Sequence, residues 1–151
     1  MMDTPHPALD DLTAWCASYV AAFSAYDVQA IGAHWVFPAT ILAGGRPLRL
    51  ESREKFDANT DTLCGFYRAQ GVARARRSLR SATPLGAASA AIQVDDVVED
   101  AGGGVITRWR AGYVLVKTAQ GWRACLADAD GERAAWAARG TPLGKGGSAP
   151  N

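Results

Sequence analysis

A chain of 151 residues, 48% apolar and 21% charged, has the size and composition of one globular domain able to bury a core of its own. Its formal net charge of +1 leaves no surplus for a polyanion, so no nucleic-acid partner is expected. Residues 1–8 lack the basic and apolar regions of a signal peptide, no later stretch has the length of a membrane span, and Cys16, Cys64 and Cys125 are spaced like free thiols; a cytoplasmic protein with no membrane partner is the expectation.

Leu9, Leu12, Trp15, Cys16, Tyr19, Val20 and Phe23 recur at steps of three and four, which places them on one face of a helix over 7–24. Pro7 suits its first turn, and Asp10 and Asp11 meet the positive end of its dipole. Asp27 is expected to cap a short second helix in which Val28, Ile31 and Trp35 share a stripe and which Pro38 ends. Thr40 to Leu42, the Gly44-Gly45 turn and Pro47 to Leu50 then read as a hairpin of short strands. Ser52 can cap a third helix reaching about Gln70, with Phe56, Leu63, Phe66 and Tyr67 on its buried side and Gly71 as the left-handed residue that ends it.

After Gly71 the apolar period changes from 3.6 to 2, over segments 72–82, 88–98, 105–117 and 122–128 separated by turn residues, which predicts a four-stranded antiparallel meander. On the strand over 105–117, Trp109, Ala111 and Tyr113 share a face. Past Gly131 a short helical patch around Ala134 to Ala138 precedes a mobile Gly, Ser and Pro tail. One domain over 1–130 with an extension over 131–151 is the expected organisation.

Two helices, a hairpin, a long helix and four long strands, with the run Tyr19-Val-Ala-Ala-Phe-Ser-Ala-Tyr-Asp-Val-Gln-Ala-Ile at the first helix junction and Asp27 at the acidic cap, resemble the nuclear transport factor 2-like superfamily over about residues 9–128. The resemblance implies an α+β fold: a cone-shaped roll of a strongly bent, mainly antiparallel sheet wrapped around three helices, enclosing an open-ended apolar pocket. It also implies a homodimer through the outer sheet face. Ketosteroid isomerases, SnoaL-like cyclases and dehydratases, and non-catalytic association modules share this fold, so the fold alone selects no function.

Tyr19 stands in the frame of the isomerases' oxyanion-binding tyrosine. Their base aspartate has no counterpart in Thr40-Ile41-Leu42-Ala43, and their oxyanion-hole carboxyl has none in Ala111-Gly112-Tyr113, so that reaction lacks its first step. SnoaL-like enzymes use histidine and aspartate, which makes His34, with Tyr19, Tyr67 or Asp128, the alternative proton-transfer set; His34 also reads as a helix-end residue whose cation favours the dipole. Trp15, Trp35, Tyr67, Trp109, Tyr113 and Asp128 are the expected ligand-binding residues.

The strand arginines, including Arg76, Arg77, Arg80 and Arg110, are expected to pair with Asp95, Asp96, Glu99 and Asp100 across the sheet, although one turned inward would suit a carboxylate ligand. Asp57 and Asp61, four apart beside Arg53 and Lys55, read as a solvated helix face. With only His6 and His34 as imidazoles, no CxxC pair and no Walker, Rossmann, GxSxG or HExxH pattern, neither a metal nor another cofactor is expected. The leading reading is a homodimeric protein binding a small apolar or carbonyl-bearing molecule, with a cofactor-independent isomerase, cyclase or dehydratase and a pure association module as alternatives.

Overall fold

The computed structural model describes residues 9–143. Helix α1 (Leu9–Ser24) buries the periodic face read from the sequence, with Leu12, Trp15, Cys16, Tyr19 and Phe23 all inside. Pro7, assigned to its first turn, lies outside the described residues. Asp27 caps the one-and-a-half-turn α2 (Val28–Gly32) by accepting from the Ala30 N–H at 3.0 Å.

The stretch after α2 departs from the expectation. Trp35 and Pro38 belong to a strand, β1 (Trp35–Ala43), and His34 sits in the turn that precedes it. A proline is tolerated in this interior strand because the pairing with its neighbour breaks register between Trp35 and Thr40, where a ladder hydrogen bond is already missing. β1 turns through Gly44 and Gly45, both at positive φ, into β2 (Arg46–Leu50). Ser52 caps α3 (Arg53–Ala69) by accepting from the Lys55 N–H, and Gly71 at φ 79° follows its end.

The remaining strands, β3 (Arg74–Gly86), β4 (Ser89–Glu99), β5 (Val105–Thr118) and β6 (Gly121–Asp128), form the expected antiparallel meander. The sheet order is β2-β1-β6-β5-β4-β3, antiparallel except where β1 lies parallel to β6. The α+β class is therefore as expected, with α1 against β3 and β6 on the inside of a curved sheet. A bulge at Cys125 interrupts the pairing of β5 with β6, so the strand's alternation shifts: Trp122 and Ala124 point inward, Leu126 does not, and Ala127 replaces it.

The segment after 130, read as an extension with a patch around Ala134 to Ala138, begins as α4 (Asp130–Ala138), which packs on β5 and buries Trp136 completely. This close approach depends on Gly131, where a Cβ would stand 2.0 Å from the Arg110 carbonyl oxygen. The Gly, Ser and Pro tail from 144 onward lies outside the described residues.

Candidate functional site

Strand alternation determines the charge buried inside the cone. On β4, Ala90, Ile92, Val94, Asp96 and Val98 all face inward and are buried. On β3 the inward positions run through Ala75, Arg77 and Leu79, and Arg77 stands directly opposite Asp96 in the register. Its side chain is 4% exposed although its backbone belongs to the edge strand. The two side chains form a bidentate pair, Nε to Oδ1 at 2.6 Å and Nη2 to Oδ2 at 2.8 Å.

Nη2 also donates to the Tyr113 hydroxyl at 2.7 Å, and the guanidinium carbon lies 4.6, 5.1 and 5.9 Å from the Tyr113, Tyr19 and Trp15 ring centres. Burial, the largest single effect, pushes the Arg77 pKa down; Asp96, with smaller help from Tyr113 and Cys16, reverses it and holds the guanidinium charged. A guanidinium has five N–H groups, and the two on Nη1 are buried without a hydrogen-bond partner. The Tyr113 hydroxyl accepts from Arg77, which leaves its own hydrogen to donate.

A second polar group enters from α4. Glu132, 5% exposed, receives hydrogen bonds at Oε2 from the Tyr67 hydroxyl of α3 and from Trp136 Nε1 at 3.2 Å. Burial pushes its carboxyl up to about 7, against the lowering effect of those donors. It therefore exchanges a proton near neutrality. Burial likewise raises the Tyr19, Tyr67 and Tyr113 phenols, so all three remain protonated donors.

Tyr19, Tyr67, Arg77, Asp96, Tyr113 and Glu132 line one cavity whose apolar wall includes Val20, Phe23, Leu63, Val98 and Trp109. The enclosed space is about 30 Å³, room for one or two waters. Val20, Ala75 and Trp109, each partly exposed, mark its mouth.

The other residues singled out by sequence are divided between this cavity and a different cleft. Tyr67, Trp109 and Tyr113 line the cavity. Trp35 is buried behind it, donating from Nε1 to the Tyr19 hydroxyl at 3.0 Å. Trp15 stacks on Tyr19 at 5.0 Å and lines an outer cleft together with His34. The His34 ring centre is 5.3 Å from that of Tyr19, but its nitrogens bond Ser18 and the Ala30 carbonyl, so the two side chains do not share a hydrogen bond. Asp128 accepts from the Asp130 N–H at the start of α4 and is not among the cavity's lining residues.

Of the strand ion pairs, Arg76 with Glu99, and Arg80 and Arg110 with Asp95, lie on the outer face as expected, while Arg77 is the inward-turned arginine. Asp100 instead accepts from Gly102 and Gly104 in its own turn. Asp57 pairs with Arg53 and accepts from Gln29, within the helix face that was read as solvated.

Comparison with known proteins agrees with this architecture. The family model described as NTF2-like protein (DUF6841) matches residues 10–130, and the chain belongs to that family. No functionally curated protein matches the sequence. Among solved structures, the chain is similar to Aln2 from a Streptomyces species, at 20% identity and TM-score 0.64 over 83% of this chain and 92% of that one. It is also similar to an NTF-2 like protein of unknown function from Shewanella oneidensis, at 10% identity and TM-score 0.63 over 80% and 96%. A ketosteroid isomerase-like protein from Erwinia carotovora atroseptica matches at 17% identity and TM-score 0.59 over 80% and 92%. At these identities the likeness shows the fold.

Proposed function

We propose that the chain binds a small, mostly apolar molecule through one oxygen acceptor, a carbonyl or a carboxylate, at the floor of the cone. The buried Arg77 guanidinium supports this reading, since its Nη1 is left without a partner inside an aromatic cage. A buried donor without an acceptor costs on the order of 1–3 kcal/mol, a deficit that a ligand oxygen removes. The Tyr113 hydroxyl adds a neutral donor beside it. Because the enclosed space is about 30 Å³, a ligand of more than a few atoms enters by displacing Trp109 and its neighbours at the mouth.

Glu132 favours a second reading, cofactor-independent proton transfer of the isomerase, cyclase or dehydratase kind. A carboxyl at about 7 in the same cavity is matched to both taking and giving a proton at neutral pH. In that reading Glu132 is the acid or base and Arg77 with Tyr113 carries the developing negative charge. His34, engaged by Ser18 in the outer cleft, has no part in it.

We further propose that two subunits pair through the outer sheet face, which carries the charged side chains of Asp95, Arg80 and Arg110. Native mass spectrometry under gentle and then dissociating conditions reads both claims. A dimer that releases a discrete carbonyl or carboxylate compound supports them. A monomer refutes the pairing, and a compound-free protein that no carbonyl or carboxylate probe saturates refutes the binding and leaves an association module.

A further inference from the structure

A second constellation lies outside the cone. Asp11, Ala14, Trp15 and Ser18 on one side of α1, Ala33 and His34 in the turn after α2, and Lys117, Trp122 and Arg123 on the β5–β6 hairpin surround an open cleft of about 460 Å³. Here Ser18 Oγ is 2.8 Å from His34 Nε2, and His34 Nδ1 is 2.6 Å from the Ala30 carbonyl oxygen.

These two contacts fix the protons. A carbonyl oxygen only accepts, so the neutral ring carries its hydrogen on Nδ1 and its lone pair on Nε2. Ser18 must then donate to Nε2. The line of hydroxyl, imidazole and orienting acceptor is that of an activated nucleophile, with a backbone carbonyl where a carboxylate commonly stands. Burial, aided by the Arg123 and Arg77 charges and opposed by the Ala30 bond, lowers the His34 pKa, so the ring is the free base at neutral pH. The cleft also holds donors for a developing oxyanion. These are the cationic side chains of Lys117 and Arg123, both of which line it.

We propose that Ser18 and His34 form a nucleophile–base pair that hydrolyses small acyl esters, preferentially those with a carboxylate or phosphate near the scissile bond. Ser18 Oγ forms a bond to the acyl carbon as its proton passes to His34 Nε2. The tetrahedral intermediate then expels the alkoxide, which leaves as the alcohol with that proton. Water attacks the acyl-Ser18 ester, gives its proton to Nε2 and releases the acid, and the proton returns to Ser18 Oγ. The sum is ester plus water to acid plus alcohol. Two cationic side chains against the single Asp11 carboxylate set the preference for an anionic ester.

The test is incubation of the full chain with 4-nitrophenyl acetate, following nitrophenolate release and mapping acetylated peptides by mass spectrometry. The expected result is acetyl on Ser18, with release falling roughly 100-fold or more in Ser18→Ala and His34→Gln, the scale of a lost general base. Ser18→Ala exchanges an exposed helix residue and is expected to fold; if His34→Gln does not, labelling of Ser18 by a fluorophosphonate in the wild type replaces it. Bare Ser18 with acetyl on lysines alone, or unchanged release in Ser18→Ala, overturns the proposal.

Discussion

Glu132 makes folding stability depend on pH with a definite sign. Unfolding returns its carboxyl toward the ordinary 4.5, whereas the folded chain holds it at about 7. Between those values the native state binds the proton that the unfolded state has lost, so stability falls as pH rises through that window. The gap corresponds to on the order of 3 kcal/mol at about 1.36 kcal/mol per pH unit, fully present below about pH 4.5 and lost above about pH 7. Glu132→Gln mimics the protonated acid: its amide oxygen accepts from Tyr67 and Trp136 as Oε2 does now. Urea unfolding of wild type and Glu132→Gln at about pH 4 and about pH 8 isolates the effect, because His34, whose lowered pKa favours the fold in the opposite direction, cancels in the difference. The two proteins are expected to be nearly equal at the acid end and to differ by about 3 kcal/mol in favour of Gln at the basic end, roughly 6–12 °C in Tm. An identical gap at both pH values would refute the buried, proton-holding role of Glu132.

Asp96→Ala leaves the buried Arg77 charge without its carboxylate and is expected to cost about 3–5 kcal/mol by urea unfolding, whereas Arg77→Met/Asp96→Leu is expected to fold with near wild-type stability. Gly131→Ala drives a methyl into the Arg110 carbonyl; about 1–3 kcal/mol or more of destabilisation is expected, and a flatter pH dependence should accompany it because the adjacent Glu132 moves with the helix.

The periodic parts of this fold are legible in the amino-acid sequence. Helix faces such as Leu12, Trp15, Tyr19 and Phe23, and the four strands after Gly71, report their period directly, because each buries one side against the same core. Trp35 and Pro38 mislead because apolar spacing and a proline look the same whether a helix ends or an irregular strand begins; the register break that accommodates Pro38 is a property of the pairing with β6. The bulge at Cys125, which turns Ala127 inward in place of Leu126, likewise leaves no mark in strand alternation.

The polar floor is partly readable. Asp96 interrupts an otherwise apolar inward series, Ile92, Val94 and Val98, and a charge in a buried register requires a partner. Counting that register across β3 leads to Arg77. Glu132 is not readable, because its burial comes from α4 closing on β5 at Gly131, a contact between distant segments with no local period of its own.

The reading of the cone as a ligand site is tested most directly by titrating the tryptophan fluorescence of wild type and Arg77→Met/Asp96→Leu with 1-naphthoate, an apolar ring bearing one carboxylate. Saturable quenching is expected in the wild type, with affinity reduced roughly ten- to hundredfold in the double variant, the worth of a charged hydrogen bond. Equal affinity in both proteins, or no saturation in either, would contradict the assignment of Arg77 as the group that receives the ligand.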